Sequence, residues 1–175
     1  MLATALGTVL VASLGISLVT DLRSRRIPNL VTIPCFALAL ALRGMLGGWD
    51  GADGLASGLL GSAIAFLPFF LLAWAGGMGM GDVKLVAVVG ACIGAERILF
   101  VLLCIALVGG LQGLLALLWT GSLGRTLRRM ALSLARASRL TTAEAPAGGR
   151  VTVPYGVAIA FGTAWAMVWR PWLGP

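Results

Sequence analysis

The sequence predicts an all-α polytopic membrane protein with six transmembrane helices. Three observations predict it. The chain is 59% hydrophobic, with a mean hydropathy of +1.01. Only 11% of its residues are charged, where a soluble domain carries about 25%. The basic residues cluster between apolar runs, as topology determinants do.

A spanning helix needs roughly 20 apolar residues to cross about 30 Å of hydrocarbon. Six runs are candidates: 2–20, 27–45, 55–75, 83–95, 98–119 and 151–169. The first has no Lys or Arg before it, so it lacks the basic start of a secretory signal and reads as a retained helix. The second contains Pro34, which is expected to break it, and Arg43 near its far end. The third, fifth and sixth are long enough to cross. The fourth is short, roughly 20 Å at 1.5 Å per residue. Either it takes in part of the glycine segment before Asp82, or the membrane is thin there.

Charge sets the expected orientation. The loops after the first, third and fifth runs hold Arg23, Arg25, Arg26, Lys84, Arg125, Arg128, Arg129, Arg136, Arg139 and Arg150. The other side holds only Arg43, Arg97 and Arg170. The positive-inside tendency places the richer side in the cytoplasm and both termini outside. Asp21 and Asp82 then share the cytoplasmic side, without which they could not cooperate. The net charge of +7 is thus a topology signal and does not point to nucleic acid.

The chain reads as one membrane-embedded domain, 1–175, with a basic cytoplasmic loop at 121–150. Within 123–140, Leu123, Leu127, Met130, Leu134 and Ala137 recur at spacings of three and four, with arginines between. That suits an amphipathic helix on an anionic leaflet. A solvated loop that only fixes topology fits the same residues. Residues 141–149 have the composition of a flexible connector. Cys35, Cys92 and Cys104 form no close pair and the chain has no histidine, so neither a metal nor a cofactor is expected. The thiols read as small hydrophobes.

Two acids stand out. Asp21 opens Asp21-Leu22-Arg23-Ser24-Arg25-Arg26-Ile27-Pro28-Asn29, and Asp82 sits in Gly79-Met80-Gly81-Asp82-Val83-Lys84. Each lies at the edge of an apolar run, where a carboxylate is costly unless paired, solvated or functional. Two carboxylates held close share a proton, because repulsion and burial disfavour the doubly ionised pair. One can then take a proton from water while the other protonates a carbonyl oxygen. That hydrolyses a peptide bond without histidine, metal or covalent intermediate.

The neighbours divide between functional and ordinary roles. Gly76, Gly77, Gly79 and Gly81 lack Cβ bulk and can take positive φ, so backbone can approach a substrate or a facing helix closely. Small-residue helix packing is the ordinary alternative. An acid directly after the glycines favours function. Pro28 suits a first helical turn, and Asn29 serves as a local cap or a site residue. Lys84 either acts on the Asp82 carboxylate or snorkels to the interface. Pro154, Tyr155 and Gly156 open the last run, where non-helical backbone could pair with a substrate strand if it lines a cavity. Tyr155, the sole tyrosine, is equally readable as an interfacial anchor.

Asp21, Ile27-Pro28-Asn29, Gly79-x-Gly81-Asp82-x-Lys84 and Pro154-Tyr155-Gly156 together resemble the type IV prepilin peptidases, the bacterial GxGD aspartic peptidases. The short chain is similar to the branch serving Flp-type (tight-adherence) pili. The resemblance covers nearly the whole chain. It implies a multi-pass protein of the bacterial cytoplasmic (inner) membrane that cuts a prepilin's basic leader after a glycine, at the cytoplasmic face. Asp21 and Asp82 match the catalytic aspartates, and Gly79 and Gly81 the motif placing the second. Longer members carry a cytoplasmic insert with two cysteine pairs and also N-methylate the product. The Arg23–Arg26 loop cannot hold that insert, so peptidase activity without methyl transfer is expected. The implied partners are a prepilin and the lipid bilayer, with a homo-oligomer left open.

Competing readings are a signal-peptide-peptidase-like intramembrane protease, a proton-coupled carrier and a non-catalytic assembly subunit. The first expects a tyrosine before the first aspartate, where Thr20 stands, and a late Pro-Ala-Leu, which is absent. Carrier acids lie near the midplane, whereas both of these lie at one face.

Overall fold

The computed structural model describes residues 1–24, 27–75, 78–119, 121, 124 and 155–169. Among these there are six helices and no strand. They are α1 (Leu2–Ser24), α2 (Asn29–Leu42), α3 (Leu55–Trp74), α4 (Met80–Ile93), α5 (Ala95–Trp119) and α6 (Tyr155–Trp169). A π-helical turn, Arg43–Gly47, continues α2. The amphipathic pattern at 123–140, apart from Gly124, lies outside the described residues, as do Arg25, Arg26, Gly76, Gly77 and Pro154.

Four helices are long and apolar enough to cross a bilayer: α1, α2 with its π turn, α3 and α5. Helix α6 is apolar but shorter. Their outward faces are apolar, with Val11, Leu59, Leu67, Leu71, Leu103 and Leu107 exposed. Leucines on the outside suit lipid, not water. Trp74, Trp119 and Trp169 end their helices, as interfacial aromatics do. Together these features make the chain a multi-pass membrane protein.

Two compact units divide the chain, Met1–Gly109 with Pro154–Pro175, and Gly110–Val153. Of the second, little beyond the end of α5 is described. The first is built around α4. This helix touches α1, α2, α3 and α6, and nearly every residue from Asp82 to Ile93 is buried. Its closest neighbour is α3, which presents Ser57, Gly58, Gly61, Ser62 and Ala65, all buried. These recur at spacings of three and four and so form one face. A Cβ on Gly61 would come within 2.5 Å of the Gly90 carbonyl oxygen, and one on Gly90 would collide with Gly61 in return. The two backbones therefore touch, as small-residue faces permit in membranes.

Pro34 does not break α2, contrary to expectation; the helix runs through it. A proline at this position deprives only the Leu30 carbonyl of its donor. Leu30 is 85% exposed in the first turn, where the vacancy costs least. Packing on α1 and α4 holds the rest of the helix.

Arg43 is a core residue, not a loop charge. It is 1% exposed. Its Nε donates to the Ala91 carbonyl at 2.7 Å and its Nη2 to Cys92 at 3.0 Å. Nη1 donates to Ala52 at 3.0 Å and, more weakly, to Gly54 at 3.4 Å. Ala91 and Cys92 are in the last turn of α4, whose carbonyls have no partner within the helix. The guanidinium thus caps α4 and complements the negative end of its dipole. Room for it comes from Gly58, where a Cβ would lie 2.5 Å from Arg43 Cδ, and Gly94, at φ +85°. Arg43→Met should destabilise the protein by about 2–5 kcal/mol, since several buried carbonyls lose their donor. Arg43→Lys, with a point charge and no planar fork, should recover only part of that. Thermal unfolding of the purified variants checks both.

Candidate functional site

The ends of α1 and α4 and the start of α6 meet at the opposite end of α4 from Arg43. Helix α1 continues to Ser24, so Asp21 projects from its last turns and not from a loop. Asp21 is 6% exposed and Asp82 9%, both classed with the buried residues. The two carboxylates are close enough for the charge of Asp21 to act on Asp82.

Asp21 is held by α6. The Gly156 N–H donates to Asp21 Oδ2 at 3.1 Å. Gly156 is the second residue of α6, so this N–H has no carbonyl of its own helix to bond. The carboxylate therefore also faces the positive end of the α6 dipole. A Cβ at Gly156 would lie 2.6 Å from Oδ2, so only glycine admits Asp21 this closely. At 155–156 the backbone is not the non-helical, strand-pairing segment that was expected. From Tyr155 onward the chain is helical, and Gly156 spends its donor on Asp21. Half-buried Tyr155 begins α6, while Pro154 is not described.

Asp82 is held by its own helix. Gly79 is the N-cap of α4, with extended backbone (φ −79°, ψ 143°), and Asp82 is three residues on. An acid at that position reaches back to the N-cap N–H, half of a capping box. The Gly79 N–H accordingly hydrogen-bonds the Asp82 carboxylate. Asp82 precedes the apolar stretch that begins at Val83. Burial is the main influence on its carboxyl, raising it to about 6; the charge of Asp21 adds to the rise and the Gly79 bond opposes it.

Neither Gly79 nor Gly81 takes positive φ, so their use is space. A Cβ on Gly79 would lie 3.3 Å from Asp82 Oδ2. One on Gly81 would lie 3.1 Å from Ile27 Cβ, so Gly81 lets the start of α4 sit against the chain entering α2. Pro28 is the extended N-cap of α2 and forms no side-chain cap there.

Lys84 and Asn29 stand apart from the pair of acids. Lys84 Nζ donates to Asn29 Oδ1 at 2.9 Å. Two residues along a helix turn the side chain by about 200°, so Lys84 points away from Asp82. Neither the local-cap role for Asn29 nor an action of Lys84 on the carboxylate matches this arrangement.

A family model described as the type IV leader peptidase family matches residues 8–114. A prepilin leader peptidase/N-methyltransferase of Xanthomonas campestris pv. campestris is 34% identical over 119 residues, 63% of this chain and 38% of that protein. The protein of the same description from Myxococcus xanthus is 33% identical over 111 residues, 59% of this chain and 32% of its own. Its Bacillus subtilis counterpart is 36% identical over 121 residues, 67% and 46% respectively. The match thus spans less than half the length of each of these relatives. No solved structure matches the chain.

Convergence of the two acids is testable without any assay of function. In a background with Cys35, Cys92 and Cys104 replaced by alanine, Asp21→Cys with Asp82→Cys should be joined by a short bifunctional thiol reagent. Asp21→Cys with Lys84→Cys should not. Equal crosslinking of both pairs, read as a band shift after cutting the chain between them, would overturn the arrangement.

Proposed function

The chain belongs to the type IV leader peptidase family, and we propose that it is a prepilin leader peptidase acting through Asp21 and Asp82. The observation that carries the proposal is the meeting of two buried carboxylates at one end of the helix bundle, each fixed by a backbone N–H. In this reading the pair shares one proton. The ionised carboxylate takes a proton from a water, whose oxygen attacks the scissile carbonyl carbon. The protonated one gives its proton to the carbonyl oxygen. Collapse of the tetrahedral intermediate breaks the C–N bond as a proton passes to the leaving amine. No covalent intermediate, metal or cofactor is required.

The further particulars of the proposal are these. The substrate is a prepilin of the Flp type, with a basic leader and an apolar helix, cut after a glycine. Loop charge supports a position of the acids at the cytoplasmic face with both termini outside, and the family supports the bacterial inner membrane as the location. The relatives are described as N-methyltransferases as well. We assign this chain peptidase activity alone, because the segment between Asp21 and Asn29 has no room for a cysteine-paired insert. A carrier reading is disfavoured because both acids lie at one end of the helices, not at their middle.

Leader removal from a Flp-type prepilin, followed in membranes as a mobility shift, tests the assignment. Asp21→Asn and Asp82→Asn should each lower the rate at least about a hundredfold at equal protein level. Processing that survives either change would sink the aspartate assignment. Gly156→Ala tests positioning: its Cβ must displace Asp21, and a shift of about 1 Å costs roughly a hundredfold in kcat. Gly15→Ala is the control, because a Cβ there meets nothing within 4 Å.

A further inference from the structure

Six hydroxyls lie along α1, and five of them bond back to the chain just before them. Thr4, Thr8, Ser13, Thr20 and Ser24 each donate to a carbonyl three or four residues earlier. Ser17 is the exception. It is 0% exposed, and its hydroxyl has no hydrogen-bond partner among the described residues. A buried donor left in this state is costly, so its persistence asks for a reason.

Its position supplies one. Leu6, Leu10, Ser13, Ser17 and Asp21 are all buried and recur at spacings of three and four, so they form the inner face of α1. Ser17 stands one turn before Asp21. Helical side chains lean toward the N-terminus, so the Asp21 carboxylate lies over the turn that carries Ser17. Cβ atoms four residues apart are about 5–6 Å from one another. A hydroxyl oxygen one bond from its Cβ and a carboxylate oxygen two bonds from its own close that gap with a hydrogen bond of about 2.7 Å, after a change of rotamer at either side chain.

The backbone partner of Asp21 serves only one of its protonation states. The Gly156 N–H can donate but not accept, and it occupies Oδ2. When Asp21 carries the shared proton, that proton is on Oδ1 and requires an acceptor. Among the described residues Oδ1 has no hydrogen bond. A hydroxyl both donates and accepts. It gives a hydrogen bond to an ionised Oδ1 and takes one from a protonated Oδ1.

We propose that Ser17 is a positioning residue of the peptidase, its hydroxyl following Oδ1 of Asp21 through both protonation states and holding the carboxyl in line as the proton passes. Ser17 keeps its own proton throughout. The proposal rests on the peptidase reading and on Asp21 as one of its two acids.

The test compares kcat and KM for leader removal from a Flp-type prepilin by the full chain in reconstituted membranes. Ser17→Ala should lower kcat about threefold to tenfold, the worth of one hydrogen bond, with KM within about twofold. Its thermal unfolding temperature should not fall, because alanine fills nearly the same space and removes an unserved hydroxyl. Ser17→Thr keeps a hydroxyl on the same carbon and should recover most of the loss. If its extra methyl prevents folding, Ser17→Gly takes its place: the space it opens admits a water, so it should retain more kcat than Ser17→Ala. Thr163→Val is the control. Thr163 is also 0% exposed with an unpartnered hydroxyl, but it lies about 10 Å along α6 from Gly156. Its loss should leave kcat unchanged. Full kcat in Ser17→Ala, an equal loss in Thr163→Val, or no recovery in the rescuing variant would overturn the proposal. Asp21→Asn, measured alongside, separates the two readings. Cleavage that survives it sinks the aspartate assignment; cleavage lost there but intact in Ser17→Ala sinks only the role of Ser17.

Discussion

Everything in the described bundle is arranged about one short helix whose C-terminal end lies inside protein. Helix α4 has 14 residues, about 21 Å at 1.5 Å per residue, short of a typical hydrocarbon core. A helix leaves four N–H groups at its start and four C=O groups at its end, and at a buried end these must find partners within the protein. Arg43 and Gly94 do this at one end. Gly79, with the Asp82 carboxylate reaching back to it, does part of it at the other. The close seat of α3 follows from the same need, because the path of Arg43 to the last turn of α4 runs past Gly58.

Charge is distributed along α4 as its dipole demands. The cation sits at the C-terminal end and an anion at the N-terminal end. The second anion, Asp21, is at the N-terminus of α6. Two helix N-termini therefore converge where two carboxylates meet. At Asp82 burial and the charge of Asp21 disfavour ionisation, while the Gly79 N–H favours it. For Asp82 burial prevails, and its carboxyl is raised to about 6. A carboxyl poised there can hold or release a proton at physiological pH, which a fully solvated aspartate cannot do.

Much of this was legible in the sequence, because hydrophobic runs and isolated acids are local signals. The six helices among the described residues fall where the apolar runs lie, and Asp21 and Asp82 are near enough for the charge of one to act on the other. What was missed depended on partners distant in the chain. Arg43 looks like any loop charge until Ala91 and Cys92, nearly fifty residues on, are folded against it. Pro34 looks like a breaker until the exposure of Leu30 is known. The pairing of Lys84 with Asn29 joins positions 55 apart. One missed feature did leave a trace. Ser57, Gly58, Gly61, Ser62 and Ala65 repeat at helical spacing, and that pattern alone marks α3 as the helix with the closest neighbour.

The Gly-x-Gly-Asp spacing can also be understood without reference to chemistry. Its first glycine is an N-cap, its second the position that touches Ile27, and its aspartate the residue that closes the cap. Many helices begin with an acid three residues past the cap, which is why the motif is weak evidence by itself. The distinction here is that the capping carboxylate is buried beside a second one that is anchored independently by α6. Among the described residues one backbone bond per carboxylate fixes each side chain and leaves further lone pairs for a water. A pair held by more donors would be locked in its ionised state; a pair held by none would not keep its geometry. The arrangement among the described residues lies between these limits.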